Sequence, residues 1–62
     1  MSAAAAKKEG NDCFRAQNYA GAVEAYSRAI DLSPDDHTFY SNRSAAYAAM
    51  GEWERAAADG QM

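Results

Sequence analysis

Residues 22–36 read AVEAYSRAIDLSPDD. Ala22, Val23, Tyr26, Ala29 and Ile30 recur at steps of three and four, which places them on one face of a helix. That helix should open near Ala20, after a short turn at Gln17–Tyr19. It should close before Pro34, which has no amide donor and pushes Ser33 out of helical geometry. Asp35 and Asp36 then put negative charge at the start of the next helix, where the helix dipole favours it. Upstream, Ser2 is a fitting N-cap for a helix from Ala3, and Ala6, Gly10, Cys13, Phe14 and Gln17 form its apolar stripe. Downstream, a third helix is expected from about Asp36 or His37 to Ala49, with Tyr40, Ser44 and Tyr47 on one face. The stretch MGEW (50–53) breaks it, and Trp53 opens a fourth helix carrying Ala56, Ala57 and Gly60. Short connections make neighbouring helices antiparallel, so the expected fold class is all-α.

Composition agrees. Alanine is abundant, Pro34 is the only proline, and Val23, Ile30 and Thr38 are the only β-branched residues. A chain of 62 residues holds one small domain, and at this size only about 60% of the unfolded surface is buried. Cys13 has no partner for a disulfide, and His37 is the sole histidine, so neither a staple nor a zinc site is expected. Support should come from partner surface instead. The net charge of −3 argues against nucleic acid as a partner. No apolar run approaches the roughly 20 residues of a membrane span, and the opening MSAAAAKKEG lacks the order of a secretory signal. The expected location is the cytoplasm. No nucleophile–base pair and no glycine-rich phosphate loop is present, so neither an enzyme nor a cofactor is expected.

A period underlies these elements. Shifting the chain by 34 residues lays Gly10 on Ser44, Cys13 on Tyr47, Tyr19 on Trp53 and Ala22 on Ala56. A helix–turn–helix repeating at 34 residues resembles the tetratricopeptide (TPR) family. The first unit, residues 3–36, carries Gly10, Ala22, Tyr26, Ala29 and Pro34 at the family's landmark positions. It departs from the family at Ala6 and Cys13, where aromatic residues are usual. The second unit, residues 37–62, carries Tyr40, Tyr47, Gly51, Trp53 and Ala56, and the sequence stops at Met62 inside its second helix. The resemblance therefore implies a partial TPR domain over residues 1–62, about one and three-quarter repeats.

The stretch FYSNRSAAY (39–47) sets Asn42 and Arg43 amid aromatics and alanines, where a core would not welcome them. In the family, the first helix of each unit lines a concave groove. Lys7 and Asn11 lie four apart, hence one turn apart on one face, and Asn42 falls at nearly the same level of the next inner helix. An ammonium and two amides can donate to a carboxylate. The pattern looks like the carboxylate-clamp subgroup of TPR co-chaperones. That resemblance implies a non-catalytic binding module whose partner is the acidic C-terminal tail of heat-shock chaperones, ending EEVD, gripped by Lys7, Asn11 and Asn42. Arg43 either lies along the groove wall or pairs with an acid such as Asp12.

The subgroup's clamp takes two more basic residues from a third repeat, so these 62 residues hold three of five groups. At about 1.5–3 kcal/mol for each missing charge-assisted bond, affinity would fall by roughly a hundredfold to ten-thousandfold. Repeats also bury their faces on neighbours. The alanine-rich ERAAADGQM (54–62) would be left open, and the alternative expectation is a structural unit that self-associates or docks on a partner helix.

Overall fold

A computed structural model describes residues 2–60 as four helices: α1 (Ala3–Arg15), α2 (Tyr19–Leu32), α3 (His37–Ala49) and α4 (Trp53–Gly60). Gln61 and Met62, which the sequence reading placed in the second unit, lie outside the described residues. The fold is all-α. Each helix packs on the next, α1 on α2, α2 on α3, and α3 on α4.

Local chemistry fixes the ends. The Ser2 side chain accepts from the Ala5 amide at 3.1 Å, Asn18 accepts from Gly21 at 3.2 Å, and Asp36 accepts from Thr38 at 2.9 Å. The first helices of the two units also end alike. After α1, the Gln17 amide donates to the Phe14 carbonyl and the Asn18 amide donates to Cys13. After α3, Gly51 donates to Ala48 and Glu52 to Tyr47. This pair of bonds is the Schellman closure, which needs a left-handed residue at its corner. Gln17 (φ 64°) and Gly51 (φ 79°) supply it, 34 positions apart. Gln17 is therefore not the last residue of the α1 stripe, as its spacing suggested, but an exposed corner.

Alanine lets the helices approach, and α2 sits in the middle. One buried cluster joins Ala6 of α1, Ala29 and Ile30 of α2, and Phe39 of α3. A second joins Ala22 and Tyr26 of α2 with Ala46 of α3, with Cys13, Phe14 and Val23 packed against it. Tyr26 is 2% exposed, and burying a ring that fully contributes about 1.5–3 kcal/mol. It seats on Gly10: a Cβ there would stand 2.5 Å from Tyr26 Cε1, so no larger residue fits without a shift.

Phe39 is a core residue that the face of Tyr40, Ser44 and Tyr47 did not include, although Tyr40 packs against the same cluster, and Trp53 is not placed as its 34-residue counterpart Tyr19 is. On α3 the buried aromatic is Phe39, while Tyr40 and Tyr47 are half-buried. Trp53 fills no gap and is 69% exposed. The repeat explains the difference. Tyr19 meets Phe14 edge-on at 5.2 Å between ring centroids, whereas the counterpart of Phe14 is Ala48, too short to reach the Trp53 ring. Of the residues α4 was expected to carry, Ala56 is buried and Ala57 is exposed.

Candidate functional site

A groove of about 340 Å³ lies between the first helices of the two units, lined by Asn11, Phe14 and Arg15 of α1, Tyr26 of α2, and Asn42 and Ala45 of α3. Asn11 and Asn42, singled out in the sequence as polar residues on two inner helices, thus line one cavity. They reach it because residues 7, 11 and 15 lie along one edge of α1, while 42 and 45 lie along one edge of α3. Phe14, Ala45 and the Tyr26 ring supply its apolar surface.

The polar atoms of the groove are mostly donors. The Tyr26 hydroxyl donates to Asn11 Oδ1 at 2.5 Å. With its oxygen engaged, the Asn11 amide presents its NH₂ as the uncommitted end. Burial lifts the Tyr26 pKa above its ordinary value, Cys13 adds to the rise, and Arg15 partly opposes it. The hydroxyl consequently stays protonated as a donor across physiological pH. Asn42 is half-buried, and no hydrogen bond to its side chain occurs among the described residues. Among the described residues, no Asp or Glu lines the cavity.

Lys7 lies one turn before Asn11 on α1 and is half-buried, outside the set that lines this cavity. Among the described residues it has no ion-pair partner, whereas Lys8 and Arg15 both bridge to Asp12, at 3.3 Å and 3.0 Å. Both bridges are exposed and contribute little stability.

Arg43 is not among the residues that line this cavity, and its ion-pair partner is not Asp12. Its guanidinium grips Asp59 of α4 with two bonds, Nε to Oδ2 at 2.7 Å and NH2 to Oδ1 at 2.8 Å, and donates to Ser27 Oγ of α2 at 3.1 Å. The Tyr40 and Tyr47 rings flank it at 5.7 Å and 5.9 Å. The hydrogen bond to Asp59 raises the Arg43 pKa, outweighing burial, which lowers it. A planar fork matched to a carboxylate explains why arginine stands here. The cation's place is between α2, α3 and α4, where it ties the second unit together. Arg15 is the groove residue that sequence reasoning missed. Its signal was present: it lies four residues after Asn11, as Lys7 lies four before.

The description TPR repeat is matched over residues 10–58, most of the chain. The chain belongs to the TPR repeat family. It is 50% identical over 56 residues to Hsp70-Hsp90 organizing protein 1 of Glycine max, covering 90% of this chain and 10% of that protein. It is 42% identical over 53 residues to small glutamine-rich tetratricopeptide repeat-containing protein beta of Homo sapiens, covering 86% and 17%. It is also 42% identical to mitochondrial import receptor subunit TOM70 of Homo sapiens, covering 92% of this chain and 10% of that protein. The chain thus spans a tenth to a sixth of these relatives' length. As a TPR unit it is a protein–protein interaction module, with α1 and α3 as the first helices of consecutive repeats and the groove between them. No helix among the described residues is long and apolar enough to cross a membrane.

Proposed function

We propose that this TPR unit acts in the cytoplasm, without catalysis or cofactor, by capturing the acidic C-terminal tail of heat-shock chaperones of the EEVD type. Lys7, Asn11 and Asn42 receive the terminal carboxylates. The observation that carries the reading is the convergence of the Asn11 and Asn42 amides on one groove whose lining holds no carboxylate. Tyr26 supports it by engaging the Asn11 oxygen, so that the amide turns a donor toward the ligand. Lys7, lacking an internal partner among the described residues, brings uncommitted positive charge one turn away. The names of relatives that organise Hsp70 and Hsp90 agree with a chaperone partner.

The test is a titration of the chain with a peptide ending EEVD, as the free acid and as the C-terminal amide. With three clamp groups inside these residues, binding of the acid should be weak but saturable, and the amide should not bind. Lys7→Ala and Asn42→Ala should each abolish binding of the acid without changing helicity. Equal binding of acid and amide would sink the reading.

Exposed apolar surface supports a second reading. Trp53 is 69% exposed at the start of α4, and Ala57 is open on the same helix. A unit that associates with a second copy or a partner helix through α4, without tail binding, would cover them. In that case sedimentation equilibrium finds an oligomer that Ala57→Glu dissociates and Lys7→Ala leaves intact.

A further inference from the structure

We infer that Arg15 is a specificity-determining residue of the groove, reading an acidic side chain two residues before the terminal carboxylate of the bound tail. The inference rests on the proposed capture of an acidic C-terminus and adds to it a contact outside the three residues assigned there. Arg15 lines the same cavity as Asn11 and Asn42, and among the described residues it is the only cation in that lining. Its side chain is 77% exposed, so the guanidinium stands at the rim rather than on the floor. Its partner Asp12 is itself 53% exposed and shared with Lys8, so the bond holding Arg15 is a weak, solvated one that a ligand carboxylate can replace.

Register sets which ligand residue it meets. Asn11 and Arg15 are four residues apart on α1, a rise of about 6 Å. An extended peptide advances roughly 6.6 Å in two residues, so a peptide held by its end at Asn11 and Asn42 and running along α1 toward Arg15 would bring the residue two before that end level with Arg15. Side chains of an extended chain alternate. If the penultimate one turns down onto Phe14 and Ala45, the one before it turns up toward the rim, where the guanidinium stands. A guanidinium fork donates to a carboxylate there and discriminates against a neutral amide.

The experiment compares peptides ending EEVD and EQVD, which differ only at that position, on the wild-type chain and on Arg15→Ala. The wild type should prefer EEVD by about two- to fivefold, the range of an exposed ion pair. Arg15→Ala should bind both peptides alike while still rejecting the C-terminal amide. Asp12→Asn, which frees Arg15, should keep or widen the preference. A preference that persists at full size in Arg15→Ala overturns the inference, as does a wild type that binds both peptides equally. Loss of discrimination between acid and amide in the wild type would instead count against carboxylate capture itself, so the two failures are separable.

Discussion

The two helical hairpins follow one plan with a different balance of shape and polar contact, although the first also carries the Tyr26–Asn11 and Arg28–Glu9 bonds across its helices. In the first, α1 and α2 interlock by shape: Gly10 opens a notch, the Tyr26 ring fills it, and Ala6, Ala22 and Ala29 bring the helices close. In the second, the residue at the place of Gly10 is Ser44, whose hydroxyl donates to the Ala56 carbonyl at 2.7 Å, and Arg43 holds Asp59 with two hydrogen bonds. Among the described residues α4 buries Ala56 in the core, and polar bonds from Arg43 and Ser44 tie it to α3. Shape packing resists local opening because every atom of the ring loses contacts at once. A polar latch is directional and can be undone at one group. The groove draws on both hairpins, yet Asn11 and Tyr26, which set its donor geometry, sit on the shape-packed one.

The sharpest way to break this contrast is at the notch. Tyr26→Ala should cost about 3–5 kcal/mol and melt the unit cooperatively by circular dichroism. Gly10→Ala should cost about 1–3 kcal/mol, because the clash with the ring outweighs the roughly 1 kcal/mol gained in helix propensity. In the Tyr26→Ala background the sign should reverse, with Gly10→Ala now stabilising. A persistent loss there would mean the notch is not what glycine serves.

Next in size is the latch. Asp59→Ala should cost about 1.5–3 kcal/mol, the scale of hydrogen bonds to a charged group, and the loss should be local. Amide exchange should rise in α4 and the end of α3 while α1 and α2 keep their protection. Uniform loss of protection would erase the distinction between the hairpins.

Smaller still is the corner. Gln17→Gly relieves a left-handed conformation that Gly51 already occupies without strain, and should stabilise by roughly 0.5–1 kcal/mol in thermal melts. Trp53→Ala should change stability by less than about 0.5 kcal/mol, since most of the ring meets solvent. A larger loss from Trp53→Ala at high concentration alone would point to association through α4.

Much of this is legible in the sequence. Ser2, Pro34 and Asp36 act on the chain within a few residues of themselves, so the helix ends followed from local rules. The 34-residue offset paired small and large positions, and Asn11 and Asn42 stood out as amides on inner helices. What escaped depended on register between helices. Arg43 and Asp59 are 16 residues apart, and no local spacing says which acid of three neighbouring helices a guanidinium will meet. Phe39 was hidden by Tyr40 beside it, because one residue of rotation decides which ring faces the core. The offset onto Tyr19 did not carry over to the packing of Trp53, because the residue its ring would have met is Ala48. Gln17 escaped for a different reason: an ordinary residue rarely adopts positive φ, although its offset onto Gly51 carried the hint.

The most direct test is to watch the side-chain amide signals of Asn11 and Asn42 by ¹⁵N-resolved NMR while an EEVD peptide is added. The account predicts that both NH₂ pairs shift together and saturate with one constant. The Arg43 Nε–H, locked on Asp59, should stay where it is, and the amidated peptide should move nothing. Unmoved asparagine signals with shifts confined to α4 would contradict it, and would place the binding surface of this TPR unit on the opposite hairpin.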